Sequence, residues 1–284
     1  MKKVAVVILN FKVKDEVIEC VQSVESSTYK NVEIIVVDNN SDDGIDEAIK
    51  KFAEVDFIQN QENLGYTGGN NMGIKRALYK KADYVFILNP DTVIEKRSIE
   101  NLVKVADKGD GGICGPKILF GDKETIWYGG GIIDLDNILG IHRGMDEKDK
   151  GQYDRVEETE FVSGAAMFIK AQVFNKIGFF DNQYFLYLED MEFCFRAKKE
   201  GVGIIYIPQA IVYHKNAKST GLGSPLQDYY ISRNRLLFAF KYLSWRKRLV
   251  LLKHIILTSY FSTRRQALTD FLIGNLGKGS FTKV

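Results

Sequence analysis

"KVAVVILNF", residues 3–11, runs six apolar residues without a break, Val4 to Leu9, and stops at Asn10. An unbroken, β-branched run of this length suits a strand buried on both faces rather than one with a wet side. The same character recurs downstream in "VEIIVVDNN" (32–40), "VDFIQN" (55–60) and "DYVFILNPD" (83–91). Helical periodicity fills 15–27, 44–53 and 70–81 between them. Strand, helix and strand repeated in this way predict an α/β protein with a Rossmann-like, mostly parallel central sheet and helices on both faces. "GGICGPKI", "FVSGAAMFIK" and "GVGIIYIPQAIVYH" add later strands. The stretch 121–160, rich in Gly and charge with weak periodicity, reads as a long, mobile excursion over one face of the sheet. No internal repeat or low-complexity tract interrupts the chain.

The 284 residues are 45% apolar and 27% charged, a composition able to bury a real core. Cys20, Cys114 and Cys194 are odd in number and widely spaced, which suggests neither a disulfide framework nor a zinc site and fits a reducing compartment. The basic start "MKK" leads into too short an apolar run for a signal peptide, and no small-residue cleavage site follows. No apolar stretch approaches the roughly 18 residues a bilayer requires, so the expected location is the cytoplasm.

Net charge is +2, but it is unevenly placed. From Ser232 to Val284 eleven Lys or Arg face one acid, Asp270, a balance of +10, which leaves −8 on the rest. Within this tail "WRKRLVLLKHIILTSYFSTRR" (245–265) brackets an apolar segment, Leu249 to Phe261, with basic clusters. Such a segment either lies peripherally on an anionic membrane or packs its apolar stripe on the main body; a homodimer contact is a further use. Nucleic acid is not an expected partner, because no binding motif accompanies the charge.

In parallel sheets ligands collect at the carboxyl ends of the strands, and the polar residues Asn10, Asp38, Asn89 and Asp91 all fall there. The loop "NQENLGYTGGNNMG" (60–73) is Gly-rich and opens a helix, so its N–H groups could approach an anion, though on its own residues a turn is the favoured reading. "DNNSDDG" (38–44) is dense in turn formers, and Asn39 to Asp43 are assigned largely to the turn. In "FLYLEDMEFCFRAKKEG" (185–201) Glu189, Asp190 and Glu192 suit the first turn of a helix that ends before Gly201.

The order of these fragments resembles the family 2 glycosyltransferases with a GT-A fold. "VAVVILNF", "VDNNSDDG", "NLGYTGGNNMG" and "ILNPDT" match a nucleotide-sugar half. The long run from "SGAAMFIK" through "FLYLEDMEFCFRAKKEG" matches an acceptor half, with "VYHKNAKSTG" and "YYISRNRL" after it. Within the family the match is best to the rhamnosyltransferase-like group that builds bacterial surface polysaccharides. The resemblance implies a GT-A domain over 1–225, with a nucleotide-sugar half to about residue 110 and an acceptor half beyond. A basic, amphipathic helical extension would occupy 226–284.

It also implies roles. Asp190 would be the general base of an inverting transfer, with Glu189 beside it holding the acceptor. A Mn²⁺ or Mg²⁺ ion would be held by Asp91 and His214, with Asn89 offering a neutral oxygen where the family has its first acid. Asp38 would accept a hydrogen bond from the donor's pyrimidine, Leu9 and Asn10 would line that slot, and Asn63, Gly65, Asn70 and Arg233 would contact the donor. The expected donor is dTDP-rhamnose or a UDP-sugar, and the acceptor a saccharide or lipid-linked saccharide hydroxyl. The chain lacks the Q-x-x-R-W sequence of processive relatives, so one sugar per encounter is expected. A catalytically degenerate sugar-nucleotide binder is the alternative, and a sugar nucleotidyltransferase a weaker one, because "LNFKVKDEV" stands where a basic Gly-rich loop would be needed.

Overall fold

A computed structural model describes residues 1–109, 111–215 and 223–281. Its first half is β1 (Val4–Asn10), α1 (Lys14–Glu25), β2 (Val32–Asp38), α2 (Ile45–Ala48), β3 (Val55–Gln59), α3 (Gly65–Tyr79) and β4 (Tyr84–Leu88). Next come β5 (Thr92–Ile94), α4 (Ser98–Ala106), β6 (Gly111–Phe120), β7 (Ile126–Tyr128), β8 (Gly131–Asp134), β9 (Leu139–His142) and β10 (Glu157–Glu158). Then come β11 (Ala166–Lys170), α5 (Ala171–Ile177), α6 (Glu189–Lys199) and β12 (Gly203–His214). Three helices follow: α7 (Pro225–Tyr242), α8 (Trp245–Thr258) and α9 (Ser262–Leu272).

One sheet crosses the whole body in the order β10-β12-β6-β11-β4-β1-β2-β3, with β5 on β12 and β7 on β6. In the first half every pairing is parallel. The second half is mixed, because β11 runs antiparallel to both β4 and β6. Both faces are covered. Val4, Val6 and Ile8 belong to one buried cluster and Ala5 and Val7 to the other, so successive side chains of one strand serve opposite cores.

Two expectations change. Residues 65–73, read as loop, are the first turns of α3, which starts earlier than the periodicity suggested. Gly65, Gly69 and Gly73 recur every fourth residue on the face toward the sheet and its neighbours. A Cβ at Gly69 would come within 2.3 Å of Leu9 Cδ1, and one at Gly73 within 2.3 Å of Val7 Cγ1. The glycines therefore buy close helix–sheet approach. Gly73→Ala separates the two effects. Helix propensity alone would gain about 1 kcal/mol, whereas overpacking should lose about 1–3 kcal/mol. Urea unfolding is expected to show the loss.

The stretch 121–160 is not an irregular excursion. It folds into β7 to β10, and Lys117, buried in β6, ties it down through ion pairs to Asp149 and Asp154. That segment forms one wall of the site.

Candidate active site

The register of the sheet brings the polar strand ends together. β1 and β2 pair so that Asn10 stands beside Asp38. Asn10 Nδ2 donates to Asp38 Oδ1 at 2.9 Å, and the Ser41 N–H donates to Asp38 Oδ2 at 3.1 Å. Both side chains are buried behind a slot of about 300 Å³ lined by Leu9, Asn39, Asn63, Gly65, Pro90 and Phe185, among others. Asn39, assigned above to the turn, instead faces this slot: its Nδ2 donates to Asn63 Oδ1 at 3.2 Å and to the Gly65 carbonyl at 3.0 Å.

Tyr66 and Leu186 are shared with a second, larger cavity of about 560 Å³. Glu189, Asp190, Asn89, His214, Trp127 and His142 all line it. Six elements of the chain, α3, β7, β9, α6, β12 and α7, thus meet there.

The carboxylate pair opens α6, and the backbone reaches it through left-handed residues. Phe185, Tyr187 and Leu188 have φ of 63°, 69° and 67°, costly for non-glycine residues. The side chain of Asn234, on α7, holds this approach: its Nδ2 donates to the carbonyls of Tyr184, Leu186 and Tyr187 at 2.9, 2.8 and 2.8 Å. Arg233 beside it donates through Nη2 to the carbonyls of Gln183 and Tyr184 at 3.2 and 3.0 Å. Arg233 is fully buried and lines neither cavity, so the expected donor contact is not seen; its role is to brace the segment that presents Glu189 and Asp190. A tail helix therefore builds the site.

The two carboxyls differ. Asp190 accepts from the Gly164 N–H at 2.9 Å through Oδ2 and from the Met191 N–H at 2.8 Å through Oδ1. Burial raises its pKa, and these hydrogen bonds oppose the shift. Glu189 has a buried Oε2 with no partner, and burial, then the charge of Asp190, holds its pKa well above the usual carboxylate range. The environment pushes the proton toward Glu189 and the charge toward Asp190. Glu192, the third acid, is structural: it pairs with Arg196 at 2.7 Å.

β12 pairs antiparallel with β5 so that His214 stands opposite Thr92, next to Asp91. His214 Nε2 lies 3.0 Å from Asp91 Oδ1, and its Nδ1 is buried with no partner. No cluster of three or more His, Cys, Asp or Glu that could hold a metal occurs among the described residues. A site completed by diphosphate oxygens and water needs fewer protein ligands, and one carboxylate with one imidazole at contact distance fits that use. Residues 216–221 of "VYHKNAKSTG" lie outside the described residues.

Of the remaining expected donor contacts, Leu9, Asn63 and Gly65 line the slot. Asn70 does not: it is buried inside α3, its Nδ2 donating to the Tyr66 carbonyl at 2.9 Å. Trp127 and His142 were not anticipated, since they lie in the stretch read as an excursion. Trp127 makes edge contacts with both His142 and His214, at centroid distances of 4.3 and 4.5 Å.

A sheet with this strand order, a slot at its first strand ends and an adjoining carboxylate cavity define a glycosyltransferase of the GT-A class. Glycosyl transferase family 2 matches residues 5–178, and the chain belongs to that family. It is 28% identical over 236 residues to the low-salt glycan biosynthesis hexosyltransferase Agl10 of Haloferax volcanii, covering 82% of this chain and 74% of that one. It is 28% identical to the N-acetylglucosaminyl-diphospho-decaprenol L-rhamnosyltransferase of Mycobacterium tuberculosis, over 70% of this chain and 71% of the relative. The dTDP-rhamnosyl transferase RfbF of Shigella flexneri is 26% identical, over 75% and 72%. Among solved structures, GalNAc-T7 with UDP, GalNAc and Mn²⁺ superposes with a TM-score of 0.66 at 18% identity, over 82% of this chain but only 47% of that one. S. aureus TarS in complex with UDP superposes at 0.59 and 16% identity, over 95% and 70%. The protein is a hexosyltransferase-type enzyme.

Proposed function

We propose that the protein is an inverting, metal-dependent, non-processive transferase that moves one hexose from a pyrimidine nucleoside-diphosphate sugar to a saccharide hydroxyl in surface polysaccharide synthesis. One observation carries this reading: the carboxylate pair, Asn89 and His214 share a single cavity that adjoins the slot at the ends of β1 and β2. The donor's nucleoside enters that slot; Asn10 and Asp38 lie buried one residue from its lining, with Asn10 holding Asp38 as the acceptor for the ring N–H. Names of relatives favour dTDP-rhamnose over a UDP-sugar as donor, while TarS is solved with UDP.

Asp190, ionised, takes the proton of the acceptor hydroxyl as its oxygen bonds the anomeric carbon. The bond from that carbon to the diphosphate breaks, the diphosphate keeps the electron pair, and configuration inverts. Glu189, protonated, donates a hydrogen bond to the acceptor. A Mn²⁺ or Mg²⁺ ion held by Asp91 and His214, with Asn89 alongside, would neutralise charge on the leaving diphosphate. Release of nucleoside diphosphate from a panel of sugar nucleotides, with and without metal, tests the reading. No release with any donor, in the presence of saccharide acceptors, would leave the sugar-nucleotide-binding alternative.

His142 and Trp127 form the acceptor wall. His142 Nδ1 lies 3.1 Å from the Trp127 carbonyl, which can only accept, so Nδ1 carries the proton. Burial lowers this imidazole's pKa to about 4, so it is neutral at pH 7, and Nε2 offers a lone pair to a sugar hydroxyl. Loss of one such bond is worth about 0.5–1.5 kcal/mol. His142→Ala should therefore raise the acceptor KM by up to about tenfold without changing the donor KM. Steady-state kinetics with both substrates varied would show it, and an equal change in donor KM would refute it.

The tail contributes a peripheral membrane contact where a lipid-linked acceptor is presented. α8 supports this: Leu251 and Ile255 are buried against the body, while Leu249, Val250, Ile256 and Leu257 are exposed. The packing and surface uses of one segment are thus compatible. Among the described residues no helix is long and apolar enough to cross a membrane.

A further inference from the structure

Away from the strand ends, the β8–β9 turn, α7 and α8 enclose a third cavity of about 450 Å³. Asp136, Arg235, Arg246, Lys247, Val250 and His254 are among its lining residues. Its only acid, Asp136, is already paired with Lys247 at 2.6 Å. Arg235 is different. It is half-buried, makes no hydrogen bond or ion pair among the described residues, and its Nε is fully buried without a partner. Burial, then the charge of Arg264, lowers its pKa, and the charge of Asp134 opposes this only in part. A guanidinium left this way is a net cost unless an anion joins it.

α8 adds a second, independent sign. Its first turn carries Arg246, Lys247 and Arg248 and no acid, and Ser244 at its N-cap makes no side-chain capping bond. Three cations at the positive end of a helix oppose its dipole, and the first N–H groups are free. An anion seated there would satisfy both. The apolar surface of α8 then selects the kind of anion: Val250, which lines the cavity, is 72% exposed, and Leu257 further along the same helix is 68% exposed. Free phosphate would leave this apolar surface in water.

We propose that this cavity receives the phosphate of an anionic phospholipid headgroup, bound by Arg235 with Arg246 and the start of α8, while the apolar face of α8 rests in the headgroup–acyl boundary. The proposal deepens the peripheral membrane contact and rests on it. It gives the tail a stereospecific anion site in place of diffuse attraction.

The test is co-sedimentation of the full chain with vesicles of phosphatidylcholine alone or with phosphatidylglycerol added, at low salt. Arg235→Met keeps the aliphatic stem and removes the donors. Lys253→Met removes one charge from the same helix outside the cavity. A general surface charge is worth about fivefold in partitioning, so Lys253→Met should lose about that much. Arg235→Met should lose at least about twentyfold, as expected for a charge-assisted hydrogen bond, while its melting temperature holds or rises because an unpaired charge has gone. Equal losses in the two variants would overturn the headgroup site and leave the membrane contact standing. Wild-type protein that ignores phosphatidylglycerol vesicles overturns both. If it also forms a dimer broken by Leu257→Glu, a second copy covers the face. If inorganic phosphate raises the melting temperature of wild type but not of Arg235→Met, and vesicles do not bind, the site takes free phosphate and the lipid assignment fails.

Discussion

Asp190→Asn should lower transfer by about 10²–10⁴-fold, the range lost with a positioned general base, and leave donor affinity nearly unchanged. The amide keeps the shape but can accept only one of the two hydrogen bonds, because the Gly164 and Met191 N–H groups bond different oxygens of the carboxylate, and it cannot take a proton. Glu189→Gln should cost far less, because the amide still donates to the acceptor as the protonated acid would. Near-normal transfer by Asp190→Asn together with a large loss in Glu189→Gln would move the base one residue back. The pH profile follows from the same pair. Burial raises the pKa of Asp190, so transfer should rise with pH as its proton leaves, along a limb shifted above the ordinary carboxylate range. Stability moves the other way. Glu189 has a folded pKa raised above its unfolded value, so its favourable contribution is complete below about pH 4 and is lost as pH climbs toward the folded pKa. Glu189→Gln should therefore gain stability relative to wild type as pH rises above about 4, as chemical denaturation at several pH values would measure.

Asp91→Ala should abolish metal-stimulated transfer, a loss of about a thousandfold or more, since a cation at a leaving diphosphate supplies several kcal/mol of charge stabilisation. His214 would keep its place on β12 but lose the oxygen 3.0 Å from its Nε2. Binding of Mn²⁺ in the presence of nucleoside diphosphate, followed by its electron paramagnetic resonance signal, reads the site without turnover. Retained Mn²⁺ binding by the variant, or full wild-type transfer in excess chelator, would remove the metal from this pair. Asp91→Asn separates charge from shape. Asn89 already offers a neutral oxygen at this strand end, so a second neutral oxygen should rescue little.

Much of this was legible in the chain because it is local. Unbroken apolar runs such as Val4–Leu9 demand burial on both faces, and a polar residue at the end of each marks where the sheet meets solvent. The acids of α6 and its last-turn lysines announce a helix whichever way it packs. What misled was chemistry shared by two structures. Four glycines within residues 65–73 read as a loop by propensity, yet they form a helix because contact with Leu9 and Val7 demands their missing Cβ atoms. Asn39 looked like turn chemistry, and only the side-by-side ends of β1 and β2 show that it faces the slot.

The sequence by itself determined the alternation of strand and helix from β1 to β4, the strand-end polar residues and the family, since each depends on composition over a short window and on the succession of windows. Only the tertiary structure decided which of those residues meet. Asp91 and His214 lie 123 residues apart in the chain and touch because β12 pairs with β5. Arg233 and Asn234 brace the approach to Glu189 from a helix some 50 positions downstream. His142 joins the cavity because Lys117 pins its segment across the sheet. Such contacts follow from strand register and from the satisfaction of buried carbonyls and charges. Neither leaves a periodic trace in the residues that take part.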